Sequence, residues 1–127
     1  MTFEDAIKSL GAEFGAELKI ADGVAAFTAF DDGEDGLDVV LRSVENRECV
    51  DISADLGALP PESAKMLEML EANHMFGGTG GASLSIEGDR AQLERRVSLA
   101  ELGRGEGAFV LAPFIATARE WREKLKD

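Results

Sequence analysis

The sequence is poor in the residues that carry out chemistry. It has one cysteine, one histidine, one tryptophan and no tyrosine in 127 residues. The single cysteine, Cys49, cannot close a disulfide within the chain. One Cys with one His cannot supply the ligand set of a usual zinc site either. His74 has Leu67 and Leu70 as its helical neighbours and no nucleophile or carboxylate arranged with it, so a histidine-based active site has no support. Cys49 shares the polar side of its strand with Asp51 and has no basic neighbour there to activate a thiolate. A small-molecule enzyme would need convergent His, Cys or Lys side chains, and the pattern offers none, so no catalytic residue, metal or cofactor is expected.

Basic residues are scarce as well. Asp and Glu number 25 against 13 Lys and Arg, a formal net charge of -12. A surface of that sign repels phosphate backbones and anionic headgroups, which argues against nucleic acid and membrane as partners. No apolar run is long enough to span a bilayer. The acidic start Thr2-Phe3-Glu4-Asp5 lacks the basic opening and apolar core of a secretory signal, so the expected location is the cytoplasm. Proline occurs three times, and no Pro/Ser-rich linker, repeat or low-complexity tract divides the chain. Hydrophobic residues make up 45%, enough for a core in a chain of this length. One domain over residues 1–127 is the expectation.

The patterning predicts an α+β fold in the order α-β-β-β-α-β-β-α. Thr2 can cap a helix on which Phe3, Ile7, Leu10 and Phe14 share one face. A strand from Gly23 to Phe30 would place Val24, Ala26, Thr28 and Phe30 on one side and Phe27 on the other. After an acidic turn, Leu37, Val39 and Leu41 alternate with Asp38 and Arg42. Val50, Ile52, Ala54 and Leu56 then alternate with Cys49, Asp51, Ser53 and Asp55. Such alternation fits an antiparallel sheet with one dry face. Pro60 and Pro61 open a helix running to about Met75. On it Met69, Asn73, Met66, Leu70, His74 and Leu67 span roughly 160° at about 100° per residue. That arc is wide for a helix covering only a sheet, and a second partner surface explains it. Ala82, Leu84 and Ile86 mark a fourth strand, and Gly88-Asp89 a tight turn. Ala91, Leu93 and Val97 mark a fifth strand. The last helix, roughly Glu106 to Lys126, carries Val110, Leu111, Phe114, Ile115, Ala118, Trp121 and Leu125 on one face and Phe109 opposite them.

Two motifs fail on detail. Gly77-Gly78-Thr79-Gly80-Gly81 follows a helix, opens a strand and lacks the lysine of a phosphate loop. Asp31, Asp32, Glu34 and Asp35 suggest calcium, but the third and twelfth positions counted from Asp31 hold Gly33 and Arg42. The methionines Met66, Met69 and Met75 suit a pliable peptide-binding surface, a core or a dimer face.

The stretch Leu67-Glu68-Met69-Leu70-Glu71-Ala72-Asn73, a glycine-rich break, then Ala82-Ser83-Leu84-Ser85-Ile86 and Leu93-Glu94-Arg95-Arg96-Val97-Ser98-Leu99 ahead of a helix with Phe114, Ala118 and Trp121 resembles the class I type III secretion chaperones, the Tir chaperone (CesT-like) family. The resemblance covers almost the whole chain, and Leu67 to Leu99 is its most specific part. It implies a homodimer that binds the non-globular N-terminal chaperone-binding segment of a secreted effector, extending its own sheet with effector strands and filling apolar patches, without ATP or cofactor. A YbjN-like interaction or regulatory module of the same fold is the alternative. The effector groove is then expected between the first helix and first strands, at Phe3, Ile7, Leu10, Phe14, Val24, Phe27 and Phe30. The dimer contact is expected at Met66, Met69, Leu70, Asn73, Leu84 and Ile86.

Overall fold

The computed structural model describes residues 2–14, 18–29, 36–44, 48–59, 64–74, 78–79, 81–103 and 107–126. Among the described residues six strands form one antiparallel sheet, and four helices accompany it. The elements in chain order are α1 (Phe3–Phe14), β1 (Ile20–Ala21), β2 (Val24–Ala29), β3 (Leu37–Ser43), β4 (Cys49–Ala58), α2 (Lys65–Asn73), β5 (Ser83–Glu87), β6 (Arg90–Ser98), α3 (Leu99–Gly103) and α4 (Gly107–Lys124). The strand order across the sheet is β1-β2-β3-β4-β6-β5.

Alternation builds the sheet as expected. Leu37, Val39 and Leu41 of β3, Val50, Ile52, Ala54 and Leu56 of β4, and Ala91, Leu93 and Val97 of β6 are all buried on one face. The other face is polar and carries direct cross-strand pairs. Asp51 lies opposite Arg96, and their side chains meet at 2.7 Å. Asp55, opposite Gln92, reaches Arg90 on the diagonal at 2.9 Å. Opposite charges facing each other across strands support the register.

Two elements were not expected. β1 is a two-residue strand that turns through Asp22 and Gly23, both with positive φ (51° and 73°), to pair with β2. Two successive left-handed residues give the hairpin turn whose twist matches the strands it joins. α3 is one short helix after β6, its start capped by Ser98, whose hydroxyl accepts the Glu101 N–H at 3.1 Å and donates to the Glu101 carboxylate at 3.2 Å. It buries Leu99 and Leu102.

The helices close the core. Thr2 caps α1, accepting the Asp5 N–H at 3.1 Å while its own N–H faces the Asp5 carboxylate at 3.4 Å. α4 buries Val110, Leu111, Phe114, Ala118 and Trp121, and Leu125 just beyond it. Its first N–H groups, at Gly107 and Ala108, donate to the Glu13 carboxylate of α1 at 3.1 and 2.8 Å. A helix N-terminus favours that negative charge. The fit there is tight: a Cβ on Gly107 would lie 2.5 Å from Leu10 Cδ1 and 2.9 Å from the Leu102 carbonyl oxygen. At the far end of the helix, Arg119 and Arg122 donate to the carbonyls of Ala29 and Gly36, which flank the acidic 30–35 segment. That segment, which carries the rejected calcium motif, lies outside the described residues.

Candidate functional site

The expected effector residues divide. Phe3, Ile7 and Leu10 of α1 are buried in the core, Ile7 and Leu10 almost completely, so the α1 stripe is not an open groove. It packs inward because α3 and α4 lie against it. On β2 burial distinguishes the two faces. Ala25 is buried and Phe27 is half-buried against the core, whereas Ala26 and Thr28 are exposed and Val24 is half-buried. Phe27 therefore points inward with Ala25 and Ala29. A strand of sequence Val-Ala-Ala-Phe-Thr-Ala has small residues on both sides, and hydrophobicity alone does not orient it. Phe30 and the side chain of Phe14 lie outside the described residues.

A groove does run between the first helix and the first strand, one layer further out. Its volume is about 610 Å³, and it is lined by Ile7, Lys8, Gly11, Leu18, Lys19, Ile20 and Ala21. Of the expected residues that are described, only Ile7 reaches it. Leu18 and Ile20, half-buried, provide the apolar lining that periodicity did not reveal. The signal available in the sequence was Asp22-Gly23, a hairpin dipeptide that makes Leu18 to Ala21 the approach to a strand. This groove borders a sheet edge. Beyond the two residues of β1, β2 has no strand on that side among the described residues. Gly23 O accepts the Ser43 N–H towards β3, so by ladder alternation Ala26 and Thr28 turn their backbone groups away from β3; the Ile20–Ala25 register takes up the Ala26 N–H, and Thr28 faces the open side. Lys8 and Lys19 put two cations beside it in a chain of strongly negative charge.

The expected dimer residues divide too. Met69 and Leu84 are buried in the protomer's own core, and Met66 and Asn73 are half-buried. Leu70 is 68% exposed and Ile86 43% exposed. Leu67, one helical turn before Leu70, is 62% exposed. The wide apolar arc of α2 is therefore shared between the core and solvent. The glycine-rich segment before β5 is more than a spacer. Gly78 donates its N–H to the Ala72 carbonyl at 3.1 Å and accepts the Trp121 indole N–H at 2.9 Å, which ties α2 to α4.

Two other depressions are polar. One, about 460 Å³ on the open sheet face, is lined by residues including Arg42, Asp51, Ser53, Glu94 and Arg96. The hydrogen bond from Arg96 holds the Asp51 carboxyl below its ordinary range. Burial pushes Asp55 up, but its bonds from Arg90 and the Gly57 N–H outweigh that and leave it lowered. The other depression, about 610 Å³ between α2 and α4, has Lys65, Glu68, Glu71, Glu123 and Lys124 around the Trp121 ring. His74 is exposed and Cys49 half-buried. Among the described residues no three His, Cys, Asp or Glu side chains are grouped to hold a metal ion. No helix among them is long and apolar enough to cross a membrane.

An antiparallel sheet packed with helices is the fold this chain shares with several solved secretion chaperones. A chain of the ExsC-ExsE complex superposes with a TM-score of 0.71 at 16% identity, over 94% of this chain and 90% of that one. The Yersinia pestis type III secretion chaperone SycH structure, solved in complex with a stable fragment of YscM2, gives 0.71 at 15% identity over 94% and 98%. The ExoU-SpcU heterodimer from the type III secretion system of Pseudomonas aeruginosa gives 0.64 at 17% identity over 94% and 93%. At these identities the likeness is one of fold. The sequence itself decides the family: residues 5–122 match the Tir chaperone protein (CesT) family, and this chain belongs to it. No curated protein matches the sequence closely enough to count as a relative.

Proposed function

We propose that the chain acts, as one domain and as a homodimer, as a type III secretion chaperone that binds the N-terminal segment of a secreted effector and keeps it soluble and ready for export. Family membership sets the class. The observation that carries the residue-level reading is the groove of Leu18, Ile20 and Ile7 beside an open sheet edge. An extended segment there can add backbone hydrogen bonds to β1 and β2 and place alternate side chains in the groove, so affinity and selectivity come from separate contacts. The work is done in the cytoplasm by covering sticky surface, with no catalysis and no cofactor. The charge of -12 disfavours nucleic acid and membrane as alternatives. The fold neighbours, the ExsC-ExsE complex, the type III secretion chaperone SycH with a fragment of YscM2, and the type III secretion complex ExoU-SpcU, support this reading. A YbjN-like role has no observation in its favour.

The dimer contact proposed is the exposed part of α2, Leu67 and Leu70, with Ile86 of β5. An exposed apolar set of this kind on a soluble protein marks an interaction site. Asn73, Met66, Met69 and Leu84 support that surface from beneath. The test is calorimetry with the N-terminal segment of a type III effector encoded beside this chain. Ile20→Asp should abolish binding while circular dichroism and sedimentation stay unchanged. Undiminished affinity would move the effector site away from the groove.

A further inference from the structure

The sheet has two edges, and their backbone groups are treated differently. At β5 the outward-facing N–H and C=O belong to Ala82, Leu84 and Ile86, since the residues between them face β6. Leu84 is fully occupied on that side. Its N–H donates to Asn73 Oδ1 at 2.7 Å, and its carbonyl accepts the Asn73 Nδ2–H at 2.8 Å. A side-chain amide holds one donor and one acceptor in the spacing of a peptide group, so Asn73 stands where a neighbouring strand would pair. Ala82 is occupied likewise: its carbonyl accepts the Thr79 hydroxyl and its N–H donates to the Thr79 carbonyl at 3.3 Å. The outward pair of Leu84 in the five-residue strand, and that of Ala82 just before it, are thus closed by the chain's own groups. At the β1–β2 edge nothing comparable covers Thr28 among the described residues.

We infer that Asn73 is the residue that fixes which edge of the sheet accepts a strand: by mimicking a strand on β5 it confines pairing by an extended partner segment to the β1–β2 edge. An unprotected edge is a template for unwanted pairing, and proteins close such edges by covering them. A corollary concerns the second copy of the chain. It meets this region through the side chains of Leu67, Leu70 and Ile86, not by continuing the sheet from β5. The choice of edge rests on the reading of the chain as a binder of extended segments. The closure of β5 does not.

The experiment uses the whole chain with assigned backbone amides. After correction for intrinsic rates, the Leu84 N–H should exchange at least about tenfold more slowly than that of Thr28, as a paired group does against an open one. In Asn73→Ala the Leu84 rate should rise by at least about tenfold, while the Leu93 N–H, which belongs to the β4–β6 ladder, stays protected and so reports an intact fold. A nitroxide-labelled peptide of alternating valine and threonine, with lysine at each end, is then added. It should broaden Ile20, Ala21, Ala26 and Thr28 in the native chain and leave Ser83 to Glu87 sharp. In Asn73→Ala it should broaden both sets. If the native chain shows Leu84 exchanging as fast as Thr28, or Ser83 to Glu87 broadened, the inference is overturned. If the peptide reaches neither edge of either protein, segment binding by strand addition fails, and Asn73 as a closing group is still decided by the two exchange rates.

Discussion

α1 and α2 are both amphipathic helices laid against the same core, and they use their apolar faces in opposite ways. α1 spends its stripe inside the protomer: Phe3, Ala6, Ile7 and Leu10 are all buried. α2 buries Met69 and Ala72 and leaves Leu67 and Leu70 in water. Their starts differ too. α1 has a side-chain cap from Thr2, whereas Ala64 at the start of α2 offers no side-chain cap. The contrast shows that a helix built for the fold satisfies both its face and its end locally. α2, with exposed apolar surface and a bare start, is the helix on which the proposed dimer contact is placed.

Core truncation on α1 should have the largest effect. Leu10→Ala removes a fully buried side chain and should cost roughly 2–5 kcal/mol, measurable by urea unfolding. Leu70→Ala on α2 should stay within about 0.5 kcal/mol in the same assay under dissociating dilution, because its side chain touches mainly solvent in the protomer. Equal losses would erase the contrast between the helices. Next in size is Leu70→Asp, which places a charge in a dry contact and should weaken the dimer by at least about tenfold in sedimentation with the fold kept. Leu84→Asp is the less informative change, since Leu84 lies in the protomer's own core and its loss would act on folding first.

The caps sharpen the comparison at lower energy. Thr2→Ala should cost about 1 kcal/mol, with the loss confined to α1 in hydrogen exchange. Acid should act at the same place. The Thr2 hydrogen bonds hold the Asp5 carboxyl below its ordinary range. Asp5 therefore binds a proton more readily in the unfolded chain than in the folded one. Its contribution is present above the ordinary carboxylate value of about 3.9 and is lost as pH falls through the lower folded value. The Ala6 N–H, which donates to the Thr2 carbonyl at 3.0 Å, should lose protection in that window, and α2 should show no matching step at Met66 or Leu67. An α1 terminus unchanged by acid would remove Asp5 from the cap.

Much of this was legible in the sequence, and what was missed has physical reasons. The α1 stripe, the inward faces of β3, β4 and β6, and the buried face of α4 follow from sharp contrasts between apolar and charged neighbours. β2 has no such contrast, so its inward face, Ala25 and Phe27, could not be separated from Val24 and Ala26 by pattern. α3 is too short for periodicity to reveal, but Ser98-Leu99-Ala100-Glu101 is a capping box and was a readable signal. The wide arc on α2 reads as a second partner surface, and Leu67 and Leu70 within it are exposed. It could not show that Asn73, in the middle of that arc, is used on the backbone of Leu84, because that bond joins residues from two elements.

Sedimentation equilibrium of the chain at micromolar concentration, alone and with the N-terminal segment of its effector, tests the functional reading most directly. The expected masses are those of two protomers alone and of two protomers with bound segment, with Leu70→Asp reduced to single protomers. A chain that stays monomeric in both conditions, or a dimer that takes up no segment, would contradict it.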